Sequence, residues 1–104
     1  MQRNAFLMKL KPGFEAEYKK RHDQIWPELA AELTAAGIFD YSIFLHPPTG
    51  YLFAIQKLSP NNNTSSLPQT AIVKKWWAYM QDIMDSHPDN SPIATPLPEV
   101  FHMD

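Results

Sequence analysis

Cysteine is absent from all 104 residues, so disulfides, thiolate nucleophiles, Cys-based zinc sites and iron–sulfur clusters are excluded. Only three glycines occur, too few for a Gly-rich phosphate loop or a dinucleotide fingerprint, and no Gly-x-Ser-x-Gly elbow is present. Long apolar runs are missing: the longest near the start covers residues 5–8, too short for a signal-peptide core or a membrane span. Neither sign of charge forms a block. Nine Lys and Arg stand against eleven Asp and Glu, a formal charge of −2, which offers nothing to nucleic acid or to an anionic membrane. Four histidines occur, none paired at i, i+4 with an intervening Glu, so metal catalysis is not expected. The expectation is one domain over residues 1–104, cytoplasmic, with no nucleic-acid or membrane partner. A chain this short leaves much surface exposed, so pairing with a second copy is also expected.

What is present is patterned. Residues 3–10 alternate, with Phe6, Met8 and Leu10 on one side and Leu7 and Lys9 on the other, as a strand does. Pro12-Gly13 ends it. Over residues 14–36, Phe14, Tyr18, Ile25, Leu29 and Leu33 recur at helical spacing, and Gly37 follows as a C-terminal stop. Pro27 must kink or break that helix near residues 23–26, because it lacks a donor and collides with the preceding turn.

Residues 40–46 and 51–58 form two more alternating runs, joined by Pro47-Pro48-Thr49-Gly50 as a hairpin. The Asn- and Ser-rich residues 61–66 read as a loop, and a second helix is expected over residues 69–84. Its apolar residues span an arc of roughly 160°, wider than one packing face needs, so part should meet a ligand or a partner. Prolines at 88, 92, 96 and 98 forbid long regular structure there, and residues 100–103 are apolar enough for a short last strand. The order strand, helix, strand, strand, helix, strand is the split βαβ pattern of ferredoxin-like α+β folds, an antiparallel sheet with two helices on one face.

Tyr18, His22 and Trp26, four residues apart, would share one helical stripe. A core stripe and a site are both open readings, and composition alone favours the core. Trp76 and Trp77 are adjacent, so on a helix their rings diverge by about 100° and cannot both enter one core; one should line a cavity or an interface. His46, His87 and His102 read as solvated or structural, and Asp89-Asn90-Ser91 as a self-capping turn that could also line a pocket.

Four strings carry a resemblance: residues 21–29 (RHDQIWPEL), 41–45 (YSIFL), 76–80 (WWAYM) and 88–92 (PDNSP). Together, from the first strand to Glu99-Val100-Phe101, they closely resemble the L-rhamnose mutarotase family, departing at residues 59–69. The resemblance implies a homodimer of ferredoxin-like subunits, of dimeric α/β-barrel type, that interconverts the α and β anomers of L-rhamnose without cofactor or metal. It also implies that His22 is the proton donor and that Tyr18, Tyr41, Trp76 and Trp77 bind the sugar. Two rival functions share the fold or the aromatic content: a cofactor-independent monooxygenase, and a sugar-binding module without catalysis.

Overall fold

A computed structural model describes residues 2–104. Strand β1 (Gln2–Lys9) leads to helices α1 (Glu15–Asp23) and α2 (Pro27–Ala35), then to β2 (Ile38–His46), β3 (Tyr51–Leu58), a 3-10 helix (Thr64–Gln69), α3 (Ala71–Met80) and the two-residue β4 (Thr95–Pro96). The sheet order is β2-β3-β1-β4 and every pairing is antiparallel. This is the ferredoxin-like α+β arrangement the element order predicts.

Ala54 pairs with Phe6 on one side and Ile43 on the other, and Leu52 with Met8 and Leu45, which lays two apolar rows across the three long strands. Those rows meet the helices. Met8, Leu10, Tyr18, Leu52, Ala54, Met80, Ile83 and Met84 form the buried cluster, with Phe6, Ile43, Leu45 and Trp76 packed against it. Gln56 is the buried polar residue of this face, and its side-chain oxygen accepts a hydrogen bond from Asn4 Nδ2 at 3.0 Å.

Ile38 and Ile43 differ by an odd number of positions, yet both belong to the helix side of the sheet. A bulge reconciles them. Phe39 pairs with Lys57 and Ser42 with Ile55, so Asp40 and Tyr41 together oppose Gln56, and Asp40 takes φ +50° to absorb the extra residue. A short polar Asp tolerates that left-handed conformation. The bulge restores parity, so Tyr41 faces inward with Ile43 and Leu45, the neighbours strand alternation gave it.

Pro27 breaks the first helix outright. Trp26 has ψ 129°, the extended conformation favoured before a proline, and Pro27 opens α2 at a position where its missing N–H costs nothing. The second turn signal also holds: Gly37 has φ +96° and its N–H reaches the Thr34 carbonyl at 3.0 Å. A Cβ there would collide with Ser59 Oγ and lie 2.8 Å from Asn62 Cβ, so glycine is required.

Three expectations are corrected. The second helix covers Ala71–Met80 rather than residues 69–84, because the chain turns after Met80 to bury Ile83 and Met84, and the Ile83 carbonyl accepts the Lys11 N–H at 2.8 Å. The expected loop at 61–66 runs partly into the 3-10 helix Thr64–Gln69. The last strand is Thr95–Pro96 rather than residues 100–103. Phe6 opposes Pro96 and the Leu97 N–H donates to the Ala5 carbonyl at 2.9 Å, so Val100 falls opposite Gln2, where β1 runs out. With no partner strand left, Val100 is 93% exposed.

Among the described residues no helix covers the opposite sheet face. Across it Leu7, Phe53 and Phe44 form a row, with Ile55 beside them, and Phe44 is 60% exposed.

Candidate active site

Between the inner sheet face and the helices lies an open cavity of about 1130 Å³. Tyr18, His22, Tyr41, Trp76 and Trp77 all line it, so the five residues singled out by the sequence meet at one place. Three different elements supply them. Helix α1 contributes Tyr18 and His22 one turn apart, the bulge in β2 contributes Tyr41, and α3 contributes the tryptophans.

The rings of Tyr18 and His22 stack at 4.2 Å between centroids with planes 29° apart, and Trp76 presents an edge-to-face contact to His22 at 5.4 Å. Trp26 does not join this stripe. The break before Pro27 carries it away, and it instead stacks on Tyr79 at 5.4 Å and meets Trp76 edge-on at 5.0 Å, backing the cavity wall from behind. The wide apolar arc of α3 is thereby divided: Val73 and Met80 enter the core, Trp76 and Tyr79 meet α1 and Trp26, and Trp77 faces the cavity.

Electrostatics in the cavity favour neutral forms. Burial lowers the His22 imidazole below the ordinary histidine range, with the Tyr18 carbonyl and the Asp23 carboxylate opposing part of that shift. Burial, and secondarily the nearby Tyr41 phenol, raises Tyr18 well above the ordinary tyrosine range. Tyr41 is raised to about 12 by burial. Its surface is 38% accessible, but that surface opens into the concavity, where protein surrounds the ring and limits its hydration. No group of three or more metal-ligating side chains occurs among the described residues.

The wall has further polar members. Asp23 and Asp40 lie at the cavity but are ion-paired, to Lys19 at 2.9 Å and to Lys57 at 3.1 Å. Glu15, Lys19, Thr34, Ser86 and Asn90 also line the cavity.

The L-rhamnose mutarotase family model matches residues 3–103. The chain belongs to the L-rhamnose mutarotase family. An L-rhamnose mutarotase of Bacteroides thetaiotaomicron is 58% identical over 104 residues, covering 100% of both chains. That of Flavobacterium johnsoniae is 59% identical over 102 residues, covering 98% of this chain and 95% of its own. The crystal structure of an L-rhamnose mutarotase from Formosa agariphila superposes with a TM-score of 0.93 at 50% identity, each chain covered completely.

Membership gives the 88–92 string of the mutarotase resemblance a place in the fold. Asp89 does cap its turn, accepting hydrogen bonds from the Ser91 N–H at 3.0 Å and the Ser91 hydroxyl. Asn90 meanwhile takes φ +73° and lines the cavity, so capping and lining are divided between neighbours. The sequence signal for Asn90 was its membership of a short polar cluster between prolines. Asp23 and Ser86 carried no signal of their own. His46, His87 and His102 stay outside the cavity. His46 Nδ1 lies 2.8 Å from the Thr49 hydroxyl in the hairpin turn, and His102 Nε2 lies 2.8 Å from Asp104.

Proposed function

We propose that this protein is an isomerase that interconverts the α and β anomers of L-rhamnose by acid/base opening and closing of the ring. The observation that carries the reading is the stacked Tyr18–His22 pair in an aromatic-walled cavity, in a chain of this family. A mutarotase must deprotonate the anomeric hydroxyl, protonate the ring oxygen, let the aldehyde carbon turn, and reverse both transfers. No electron sink is needed.

In this reading His22 exchanges the proton with the sugar, a role worth roughly 10²–10⁴-fold for an imidazole. Tyr18 and Tyr41, held as neutral phenols, offer hydrogen bonds to sugar oxygens, and Trp76 and Trp77 offer faces against which the sugar ring packs. The substrate is the small sugar itself, with neither cofactor nor metal.

The whole chain serves as one catalytic domain in the cytoplasm, and two copies pair as a homodimer. Support for pairing comes from the helix-free face of the sheet, where the row Leu7, Phe53, Phe44 and the adjacent Ile55 form an apolar patch without cover. No helix among the described residues is long and apolar enough to cross a membrane.

Saturation-transfer NMR on L-rhamnose tests the activity directly. Magnetisation should pass between the anomeric proton signals faster with the protein than without it. Binding without acceleration would make the protein a sugar-binding module instead.

A further inference from the structure

We propose that His22 enters ring opening as the general base and that Tyr18 is the general acid beside it. The assignment rests on the mutarotase reading above and adds to it the direction of each proton.

The decisive contact is that of His22 Nδ1 with the backbone carbonyl oxygen of Tyr18, 3.1 Å away. A carbonyl oxygen can only accept, so in the neutral imidazole the hydrogen resides on Nδ1 and the lone pair on Nε2. The Tyr18 carbonyl belongs to the helix backbone, so Nδ1 is turned to the helix and Nε2 is the ring nitrogen left for the cavity. A bare nitrogen takes a proton before it can give one.

The acid must stand next to that base, because the two oxygens it serves, the anomeric and the ring oxygen, are bonded to the same carbon. Tyr18 satisfies this, stacked 4.2 Å from the imidazole. Burial moves both groups toward the required starting forms, a neutral imidazole and a protonated phenol. The other titratable groups around His22 are few. Helix α1 brings Glu15, Lys19 and Asp23, and β2 brings Asp40 and Tyr41, while α3, β1 and β3 present apolar and indole side chains to the cavity. Asp23 and Asp40 already hold Lys19 and Lys57 as counter-ions, and the remaining carboxylate, Glu15, sits exposed at the start of α1, two turns before the imidazole.

The steps balance. As the bond between C1 and the ring oxygen breaks, its electron pair stays on that oxygen, which takes the phenolic proton of Tyr18. The anomeric hydroxyl gives its proton to Nε2, and the electrons of that O–H bond complete the aldehyde. Imidazolium and phenolate now face an open-chain sugar. After rotation about C1–C2, the chain hydroxyl attacks the other face of C1, returns its proton to the phenolate, and the imidazolium protonates the new anomeric oxygen. His22 is thus a donor in the closing half, the role the family resemblance implies, and a base in the opening half. Site and sugar end with the protons they began with.

Three measurements decide it. Enzymatic exchange of L-rhamnose, corrected for the spontaneous rate, is followed by saturation transfer from about pH 4.5 to 8.5. The expected profile rises with pH through one histidine ionisation below about 6.5 and then stays level. A limb that falls as pH rises through that range would make His22 the resting acid and overturn the proposal. Tyr18→Phe keeps the ring stack but has no proton to give, so its exchange should fall at least ~10²-fold while KM moves only a few-fold. Exchange within about tenfold of the parent would remove Tyr18 from the acid role. Nitrogen-15 NMR of histidine-labelled protein, run without sugar, should show Nδ1 of neutral His22 as the protonated nitrogen and Nε2 as the bare one; the opposite tautomer overturns the proposal. Absence of exchange by the parent protein at every pH would instead overturn the mutarotase reading beneath it.

Discussion

Arg21 and Asp82 form a two-pronged ion pair that fastens α1 to the turn following α3, with guanidinium nitrogens 2.9 and 3.2 Å from the two carboxylate oxygens. The same guanidinium donates to the Tyr79 carbonyl at 2.7 Å and to Glu17 at 2.7 Å, and it lies 4.4 Å from the centre of the Tyr79 ring. Only 10% of the Arg21 side chain is exposed, so its partners replace most of its hydration. Since Arg21 directly precedes His22, the fork fixes the turn of α1 on which the imidazole sits. Arg21→Lys cannot reproduce a planar fork and should destabilise the fold by about 1–3 kcal/mol, with a matching loss of exchange at temperatures where the parent is unaffected. Denaturant melts of the variant beside exchange assays check both effects, and an unchanged midpoint contradicts the pinning role.

His22→Asn should fold and lose anomer exchange by roughly 10²–10⁴-fold, because asparagine keeps polarity and size but cannot carry the proton. Saturation transfer on the variant, with circular dichroism to verify folding, gives the answer. Exchange near the parent's rate would reduce His22 to a packing residue.

The same residue links stability to pH. The unfolded chain binds a proton at the ordinary histidine value of about 6.5, whereas burial makes the folded chain bind it less readily. More protons are bound by the unfolded state between the lowered folded value and 6.5, so this contribution to stability is complete above about 6.5 and is lost as pH falls through the folded value. His22→Asn should flatten that part of the stability–pH curve, measured by urea midpoints at closely spaced pH. A curve of unchanged slope would mean that another group governs it.

Trp76 and Trp77 should separate into unlike roles. Trp76 contacts His22, Trp26 and Tyr79 and packs on the core cluster, so Trp76→Ala should cost about 3 kcal/mol of stability as well as binding. Trp77 is partly buried at the cavity wall, and if a sugar covers ~60 Å² of indole its loss costs about 1.5 kcal/mol, or roughly tenfold in affinity, at ~25 cal/mol per Å². Thermal melts and fluorescence titration with L-rhamnose distinguish them. Equal melting temperatures for the two variants would refute the division.

Phe44 tests the pairing of subunits. Phe44→Glu places a charge at the β2 end of the exposed apolar row without touching the core, so the folded protein should become monomeric at micromolar concentration in light scattering. A variant that still runs as a dimer would move the interface off this face. The apolar arc of α3, which suggested a partner surface from the sequence, is largely occupied inside the chain by His22, Trp26, Arg21 and the core.

The sequence by itself determined the order of the main strands and helices, the strand faces, the hairpin, the Gly37 stop and an interruption of the first helix at Pro27, though not whether it kinks or breaks. Each follows from forces acting within a few residues: side-chain alternation, the missing proline donor, the glycine conformation at a helix end. It also marked Tyr18, His22 and the tryptophan pair, because their spacing on a helix is local. Tertiary structure decided the rest. That Trp26 leaves the stripe depends on the direction α2 takes after the break, and that direction is set by packing against α3. The last strand lies at Thr95–Pro96 because β1 offers its free edge there at Phe6 and Leu7, a fact about a partner some ninety residues away. The bulge at Asp40–Tyr41 is fixed by the need for Ile38 and Ile43 to face one core, and only the cross-strand register with β3 reveals it. The tautomer of His22 is decided in the same way, by a carbonyl that comes within reach only once the helix has formed and the ring has been packed beneath Trp76.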